Sequence, residues 1–418
     1  MNIEYLENWN PWWTLNHVPD VLKGIKRKIN PLIFGFLKER EIIALNGIRR
    51  GGKTTVMYQM IDFIIKDIES YQILYVNLDD EVLKNESLEN IYLTYKQNKN
   101  PDKKAYLFLD EIQNIEGWEK FLKKHYDMKD EVKFVISGSS SNLLRKEYST
   151  LLTGRNVTFK IFPLSFKEYL DFLSIDYVSI NTTKKNKILY SLKSFLEGGG
   201  FPEVFFKEKA LKYILLKQYF DDIIYKDIVS RYNINAKKIN DLALYLLTNI
   251  SNLFTIRKIR SFTGLSIDSI KDYICYLEDA FLIKTLNYFS YSTKKSIQMP
   301  QKNYTFDCGL RNIAGFKFSK DEGKLSENLV FVELMRRDKD VYYWKGKNEV
   351  DFVIKNNDQS LIVINVSYSN EIDEREIKGL IEFEKKFKKT KELILITKDF
   401  EKEDKHISYI PLWKWLLK

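Results

Sequence analysis

The sequence predicts a multidomain α/β protein: a parallel-sheet core, then a helical region, a helix-turn-helix region and a second α/β domain. Three observations carry this. The run Gly47-Ile48-Arg49-Arg50-Gly51-Gly52-Lys53-Thr54 fills a G-x-x-x-x-G-K-[ST] pattern between a short apolar stretch and an apolar stretch at helical spacing. Strand-like and helix-like patterns alternate as far as residue 162, as a parallel sheet requires. Beyond that point the pattern turns helical, and after residue 318 alternating strand patterns return.

At 418 residues with a formal net charge of +10, the chain has length for about two to four domains. No apolar run approaches the length that spans a bilayer, and Glu4, Glu7 and Asn8 break the charged-then-apolar layout of a signal segment. The expectation is a cytoplasmic protein with no membrane partner. Cys275 and Cys308 have no Cys or His nearby at metal spacing, so they read as buried thiols rather than a disulfide or zinc site. The positive charge favours a polyanionic partner such as DNA, although a lysine-rich surface also fits heat adaptation. His17, His125 and His406 stand alone and support no catalytic role.

In chain order, residues 1–30 carry the aromatic cluster Trp9-Asn10-Pro11-Trp12-Trp13, which is expected to pack on the core. Stacking on a base or insertion into a partner is the alternative. Residues 31–162 are the core. Glu41 to Asn46 reads as a buried strand, and Val56, Met57, Met60, Ile61, Ile64 and Ile65 recur at helical spacing after the glycine run. Strand, glycine loop and helix make a P-loop, in which backbone N–H groups from Gly47, Ile48, Arg49, Arg50, Gly51 and Gly52 close around phosphates at the positive end of a helix. Lys53 supplies a mobile charge and the Thr54 hydroxyl a ligand for Mg2+, with Thr55 following on the helix. The expected ligands are ATP and Mg2+. Arg49 and Arg50 either face phosphate or reach solvent or a neighbouring acid.

Ile73 to Leu78 is a further strand. A third, Ala105-Tyr106-Leu107-Phe108-Leu109, runs straight into Asp110-Glu111. There Asp110 would hold the metal, and Glu111 would polarise the attacking water as general base. Lys133 to Ile136 is a fourth strand and ends in Ser137-Gly138-Ser139-Ser140.

With a strand between the glycine loop and the acidic strand, and a polar strand end after it, this region resembles the AAA+ and related STAND ATPases. The resemblance places Ser137 where those families keep a polar sensor for the γ-phosphate. Leu152-Thr153-Gly154-Arg155 followed by Ile161-Phe162-Pro163-Leu164-Ser165-Phe166 is similar to a narrower group, the archaeal and bacterial P-loop ATPases with a DUF4143-type C-terminal region, akin to the archaeal MJ/PH/SSO-type ATPases. Gly200-Phe201-Pro202 agrees with the G-x-P turn of the STAND group, which counts Pro202 among the nucleotide contacts. Tyr219 to Ile228 and Glu349-Val350-Asp351-Phe352 extend the likeness along nearly the whole chain. For Arg155 the resemblance implies an arginine finger, acting in the same subunit or a neighbouring copy of a homo-oligomer; a structural ion pair at the sheet edge is weighed equally.

Residues 163–235 are expected to form a helical lid over the nucleotide. In residues 236–317, helices are expected through Ile250, over Thr255 to Phe262 and over Ser266 to Ala280, followed by a hairpin of Leu282 to Leu286 with Lys302 to Phe306. That layout is a winged helix. Lys258 and Arg260 on the supporting helix, Ser269 and Lys271 at the start of the recognition helix, and Lys294 and Lys295 near the wing tip are the expected DNA contacts, against which Asp268 and Asp272 weigh. Such a module can instead hold a protein partner.

Residues 318–418 resemble a PD-(D/E)XK nuclease core. In it Glu333 and Asp351 match the metal-binding acids, but Asn365-Val366-Ser367 stands where an E-x-K tripeptide belongs. A neutral amide is a poor ligand for a hard cation, and serine cannot replace an ammonium, so the domain is expected to be inactive as a nuclease. The function expected is an AAA+/STAND-type ATPase acting on DNA, with a nucleotide-controlled protein scaffold and an ATP-regulated nuclease as alternatives.

Overall fold

The computed structural model describes residues 1–139, 152–314, 322–369, 371–403 and 406–418. Ser140 at the end of the expected polar turn, and most of the charged joint at Lys317 to Lys324, lie outside them. The chain divides into two compact units, Met1–Ile161 and Phe162–Lys418.

The first unit is built on five parallel strands, β1 (Ile42–Asn46), β2 (Ile73–Asn77), β3 (Ala105–Asp110), β4 (Val132–Gly138) and β5 (Asn156–Lys160), in the order β2-β3-β4-β1-β5. Alternate residues of each strand point to opposite faces, and both faces are apolar. Ile43, Leu45, Tyr75, Phe108 and Val135 pack with Val56, Met57, Met60 and Ile61 of the helix Lys53–Ile64. Ala44, Leu74, Val76, Leu107, Leu109, Phe134 and Ile136 pack on the other side with the helices Leu88–Asn98 and Trp118–Asp127. A sheet covered on both faces explains why these strands read as continuous apolar runs.

The N-terminal residues close the exposed edge of this sheet. Asn10 accepts a hydrogen bond from Tyr75 N at 2.7 Å and donates to Tyr75 O at 2.8 Å, so its amide imitates a neighbouring strand along β2. Trp12 and Trp13 both donate their indole N–H to Ile73 O. Trp13 also stacks on Tyr95, with ring centroids 5.9 Å apart.

In the second unit, helices Phe166–Phe172, Thr182–Gly198 and Lys209–Asp222 lead into a π-helical stretch, Ile223–Val229. Three helices, Ala236–Thr248, Ile256–Thr263 and Ile267–Asp279, then accompany a small antiparallel sheet of β6 (Leu253–Phe254), β7 (Ile283–Leu286) and β8 (Gln301–Thr305), ordered β6-β8-β7. Thr255 and Ser266 cap the second and third helices by accepting from Lys258 N and Ser269 N, which fixes where each begins. Cys275 is exposed, not buried as its apolar neighbours suggested, while Cys308 is buried. Ile274 and Leu277 take the inward face of the third helix and leave position 275 turned outward.

The C-terminal part is a mixed sheet of β9 (Asp340–Lys345), β10 (Glu349–Lys355), β11 (Leu361–Ser367), β12 (Thr390–Thr397), β13 (Lys402–Glu403) and β14 (Ser408–Pro411), ordered β13-β14-β12-β11-β10-β9. β9, β10 and β11 pair antiparallel, whereas β11, β12 and β14 pair parallel. The helix Glu322–Arg336 packs on β8, where Phe331 stacks on Tyr304 at 4.3 Å and the Asn328 side chain bonds both backbone groups of Thr305.

Candidate nucleotide site

β4 lies between β1 and β3, so the strand carrying Ser137 separates the glycine loop from the acidic strand and touches both. Ser137 is opposite Leu45 in the sheet register. Its hydroxyl donates to Asp110 and accepts from the Glu111 backbone N–H at 3.2 Å. On the other side Thr54 donates to Asp110 Oδ2 at 2.6 Å. Lys53, Thr54, Asp110, Glu111 and Ser137, far apart in sequence, thus meet at one end of the sheet.

Gly47 opens the loop at φ +148°, and a Cβ there would fall 2.1 Å from the Ile161 carbonyl oxygen. Only glycine fits that backbone and that approach. Arg50 has φ +64° and is exposed, whereas Arg49 is half-buried. Lys53 is buried and donates to Gly47 O at 3.1 Å and Ile48 O at 3.2 Å, bent back over the loop it must serve. No side chain among the described residues caps the start of the helix Lys53–Ile64, so its first N–H groups and its positive end face the loop, which suits an anion. At the foot of the loop both polar atoms of the buried Asn46 amide lack a partner among the described residues. An open helix end, a buried ammonium and an orphaned amide fit a triphosphate.

Asp110 is nearly completely buried and accepts from three hydroxyls, Thr54, Ser137 and Tyr75, the last at 2.9 Å. Burial and the adjacent Glu111 push its carboxyl above the ordinary range, and the three donors oppose them. A carboxylate in that balance favours a nearby cation, so Thr54 and Asp110 fit a Mg2+ ligand pair. Glu111 has left-handed backbone, φ +54°, which turns its side chain out of the strand; Gln113 donates to Glu111 Oε2 at 2.6 Å.

Three of these partners have no motif of their own. Tyr75 belongs to an ordinary apolar strand, Gln113 to a turn, and Arg27 to the N-terminal segment. Arg27 is buried and donates to Gly51 O at 3.0 Å, while Gln59 of the P-loop helix donates to Lys23 O and Ile25 O. The residues before 30 therefore brace the glycine loop. A buried arginine is rare without a partner of defined geometry, but burial is not visible in one sequence.

Arg155 is placed differently from an arginine finger within its own chain. It precedes β5, and its carbonyl accepts from Ile42 N at 2.8 Å, at the start of β1. The glycine loop follows the other end of β1, about 13 Å away at the usual rise per strand residue. Its guanidinium instead grips Asp127 with Nε at 2.8 Å and Nη2 at 3.2 Å, which holds the Asp127 carboxyl below its ordinary value. Arg155→Ala in isolated monomer is expected to leave ATP turnover unchanged, as measured by steady-state phosphate release. Pro202 lies in the second unit, at the start of a one-turn 3-10 helix, and is not among the residues that the first unit brings together.

Lys258, Arg260 and Lys271 are exposed, Lys271 lies 3.8 Å from Asp268, and Ser269 bonds the capping Ser266. Lys294 and Lys295 are exposed on a short helix, Thr293–Gln298, within the β7–β8 connection and not at a free tip. That connection is docked on β9, where Phe289 N donates to Tyr343 O at 2.6 Å and Tyr343 N donates to Asn287 O at 3.0 Å, and Phe289 also packs on Phe383 and Phe387 of the helix Glu374–Lys386 and its C-terminal end. Buried Tyr288 and Phe289 supply the physical reason, since a free wing would leave them in water.

Glu333 does not join Asp351. It pairs with Arg336 at 3.3 Å and Arg337 at 2.9 Å. The helix acid that shares a partner with Asp351 is Glu327, six residues earlier and so on a different helical face; both pair with Lys302. Glu327 shares the inward stripe with Val330, Phe331 and Leu334, at i+3, i+4 and i+7.

An AAA domain is matched over residues 39–170, a domain of unknown function, DUF8612, over residues 190–321, and another, DUF4143, over residues 322–415. The uncharacterized protein MJ1544 of Methanocaldococcus jannaschii is 38% identical over 408 residues, covering 90% of this chain and 88% of that protein. An uncharacterized protein of Haemophilus influenzae is 31% identical over 388 residues, covering 90% and 94%. Among solved structures, the Walker-type ATPase PABY2304 of Pyrococcus abyssi is similar with a TM-score of 0.46 and 12% identity, over 72% of this chain and 99% of that one. The core with this site is a P-loop ATPase domain. The chain belongs to one family with MJ1544, and in it such an AAA domain is joined to a DUF4143 C-terminal domain.

Proposed function

We propose that the chain hydrolyses ATP in the cytoplasm and couples that cycle to DNA. The observation that carries the first half is the convergence of Thr54 and Ser137 on buried Asp110, with Glu111 next in the chain. Lys53 and the glycine loop hold the phosphates, and Glu111, steadied by Gln113, takes a proton from the attacking water. A Mg2+ at Thr54 and Asp110 would neutralise charge on the transferred phosphoryl group. Ser137 aligns the two acids from the neighbouring strand. If Arg155 contributes, it does so to a neighbouring copy.

The second half rests on the order helix, strand, two helices, strand, short helix, strand over Ala236–Thr305, which supports a winged helix, and on the net charge of +10. Lys258 and Arg260 are the contacts best placed to meet phosphates. Lys258→Glu with Arg260→Glu is expected to lower affinity for a 20-base-pair duplex about tenfold and to flatten its salt slope by about two units. ATP turnover without DNA stays unchanged. Fluorescence anisotropy across a salt titration reads this, and an unaltered slope would favour the second reading, a nucleotide-controlled protein scaffold. The docking of the β7–β8 connection on β9 favours that reading, because a wing engaged within the chain is not free to enter a groove.

A further inference from the structure

Lys302 of β8 is 1% exposed at its side chain and sits among three carboxylates: Glu349 at 2.7 Å, Glu327 at 3.0 Å and Asp351 at 3.0 Å. These acids come from β10 and from the helix Glu322–Arg336, and β8 belongs to a different sheet. Further bonds hold the acids in place. Asp351 Oδ2 accepts from Val366 N at 3.0 Å, and Tyr304 donates to Glu327 Oε1 at 2.7 Å. Asn365 accepts from Asp351 N and donates to Glu376 Oε2 at 2.9 Å, a donation that a glutamate at 365 could not make. Burial opposes the Lys302 charge, but Glu327, Asp351 and Glu349 outweigh it and hold the ammonium protonated. Burial and Asp351 push Glu376 up to about 7.

A nuclease-like core implies a divalent cation held between a helix acid and a strand aspartate, here Glu327 and Asp351. The residues present do not fit it. The point where their carboxylates converge is filled by the Lys302 ammonium, and among the described residues no group of three or more His, Cys, Asp or Glu side chains is placed to hold a metal. We propose that Lys302 is the resident cation of this cluster: it takes the place of a divalent metal ion, keeps the C-terminal site closed to metals, and ties β8 to the C-terminal sheet. The proposal is independent of what the nucleotide site does.

The geometry names the probe. Oxygens 2.7–3.0 Å from one point need contract by only a few tenths of an ångström to reach the roughly 2.3–2.6 Å of Ca2+ coordination, whereas Mg2+ demands about 2.0–2.1 Å in a strict octahedron. Removing the ammonium should therefore uncover a Ca2+ site.

The experiment is thermal unfolding of the full chain without nucleotide, with and without millimolar Ca2+. Wild type is expected not to respond. Lys302→Met removes the shared cation from Asp351 and Glu327, leaves Glu349 with Lys345 alone, and melts lower. Ca2+ then raises its midpoint by about 5 °C or more, through binding to the folded state alone. Lys302→Met combined with Asp351→Asn loses that response. If Lys302→Met folds only when refolded with Ca2+, that supports the proposal in the same way. Lys302→Gln, which keeps a hydrogen-bond donor, is the second variant and should answer to Ca2+ in the same direction. The proposal is overturned if wild type is stabilised by Ca2+ and Asp351→Asn removes the effect, or if neither Lys302 variant responds.

Discussion

Lys53→Ala is expected to abolish ATP binding, while Glu111→Gln retains it and loses turnover by at least about a hundredfold. The two residues are adjacent in the site but act on different steps. Lys53 is the buried cation folded over the loop, bonded to Gly47 O and Ile48 O, and its removal leaves the helix end as the main attraction for a triphosphate. Glu111 lies half-buried beside Asp110, with its backbone turned by the left-handed φ and its carboxylate held by Gln113. An amide there keeps the shape and the Gln113 contact but cannot take a proton. Equilibrium binding of a fluorescent ATP analogue, set beside phosphate release, separates the two. Equal loss of affinity in both variants would remove the assigned roles.

The second large effect is expected from the smallest change. Gly47→Ala puts a methyl group 2.1 Å from the Ile161 carbonyl oxygen at a φ of +148°. The neighbour is backbone, tied by the Ile161 N–H to Asn46 O at 2.7 Å, so it cannot swing aside as a side chain would. Strain at such a backbone conformation together with the overlap should cost about 2–4 kcal/mol. The loop opens or β1 and the segment after β5 part. Thermal unfolding should show a fall of several degrees, and ATP affinity should drop with it. A variant with native stability and native affinity would mean that Ile161 does not lie against the loop.

The core was legible because its signals are local. The glycine run, the strand ending in Asp110-Glu111 and the strand ending at Ser137 each carry their chemistry within a few residues, and a parallel sheet delivers such strand ends to one edge. The three helices after residue 236 were legible, each beginning within one residue of where it is expected. What escaped depends on tertiary proximity. Tyr75 looks like any core tyrosine until the sheet order puts its hydroxyl on Asp110. Arg27 looks like one of many basic residues until its segment folds onto Gly51.

The C-terminal acids illustrate the same limit. Glu327 and Glu333 share one helix, and the resemblance to a nuclease core selected Glu333. The side of the helix decides the matter: Glu327 lies on the stripe with Val330 and Phe331, and Glu333 turns toward Arg336 and Arg337. The lysine missing from the tripeptide at 365–367 was sought along the same strand. Lys302 arrives from β8, more than sixty residues earlier, and no pattern in sequence links the two.

Lys53, Thr54, Asp110, Glu111 and Ser137 are expected to work as one ATPase site whose cycle answers to DNA. Steady-state phosphate release by the full chain, with Mg2+ and ATP, with and without duplex DNA, tests it most directly. Turnover should depend on Mg2+, vanish in Lys53→Ala and rise when DNA is added. Release no greater than that of Lys53→Ala would contradict the ATPase assignment, and Mg2+-dependent turnover that duplex DNA leaves unchanged would contradict the coupling to DNA.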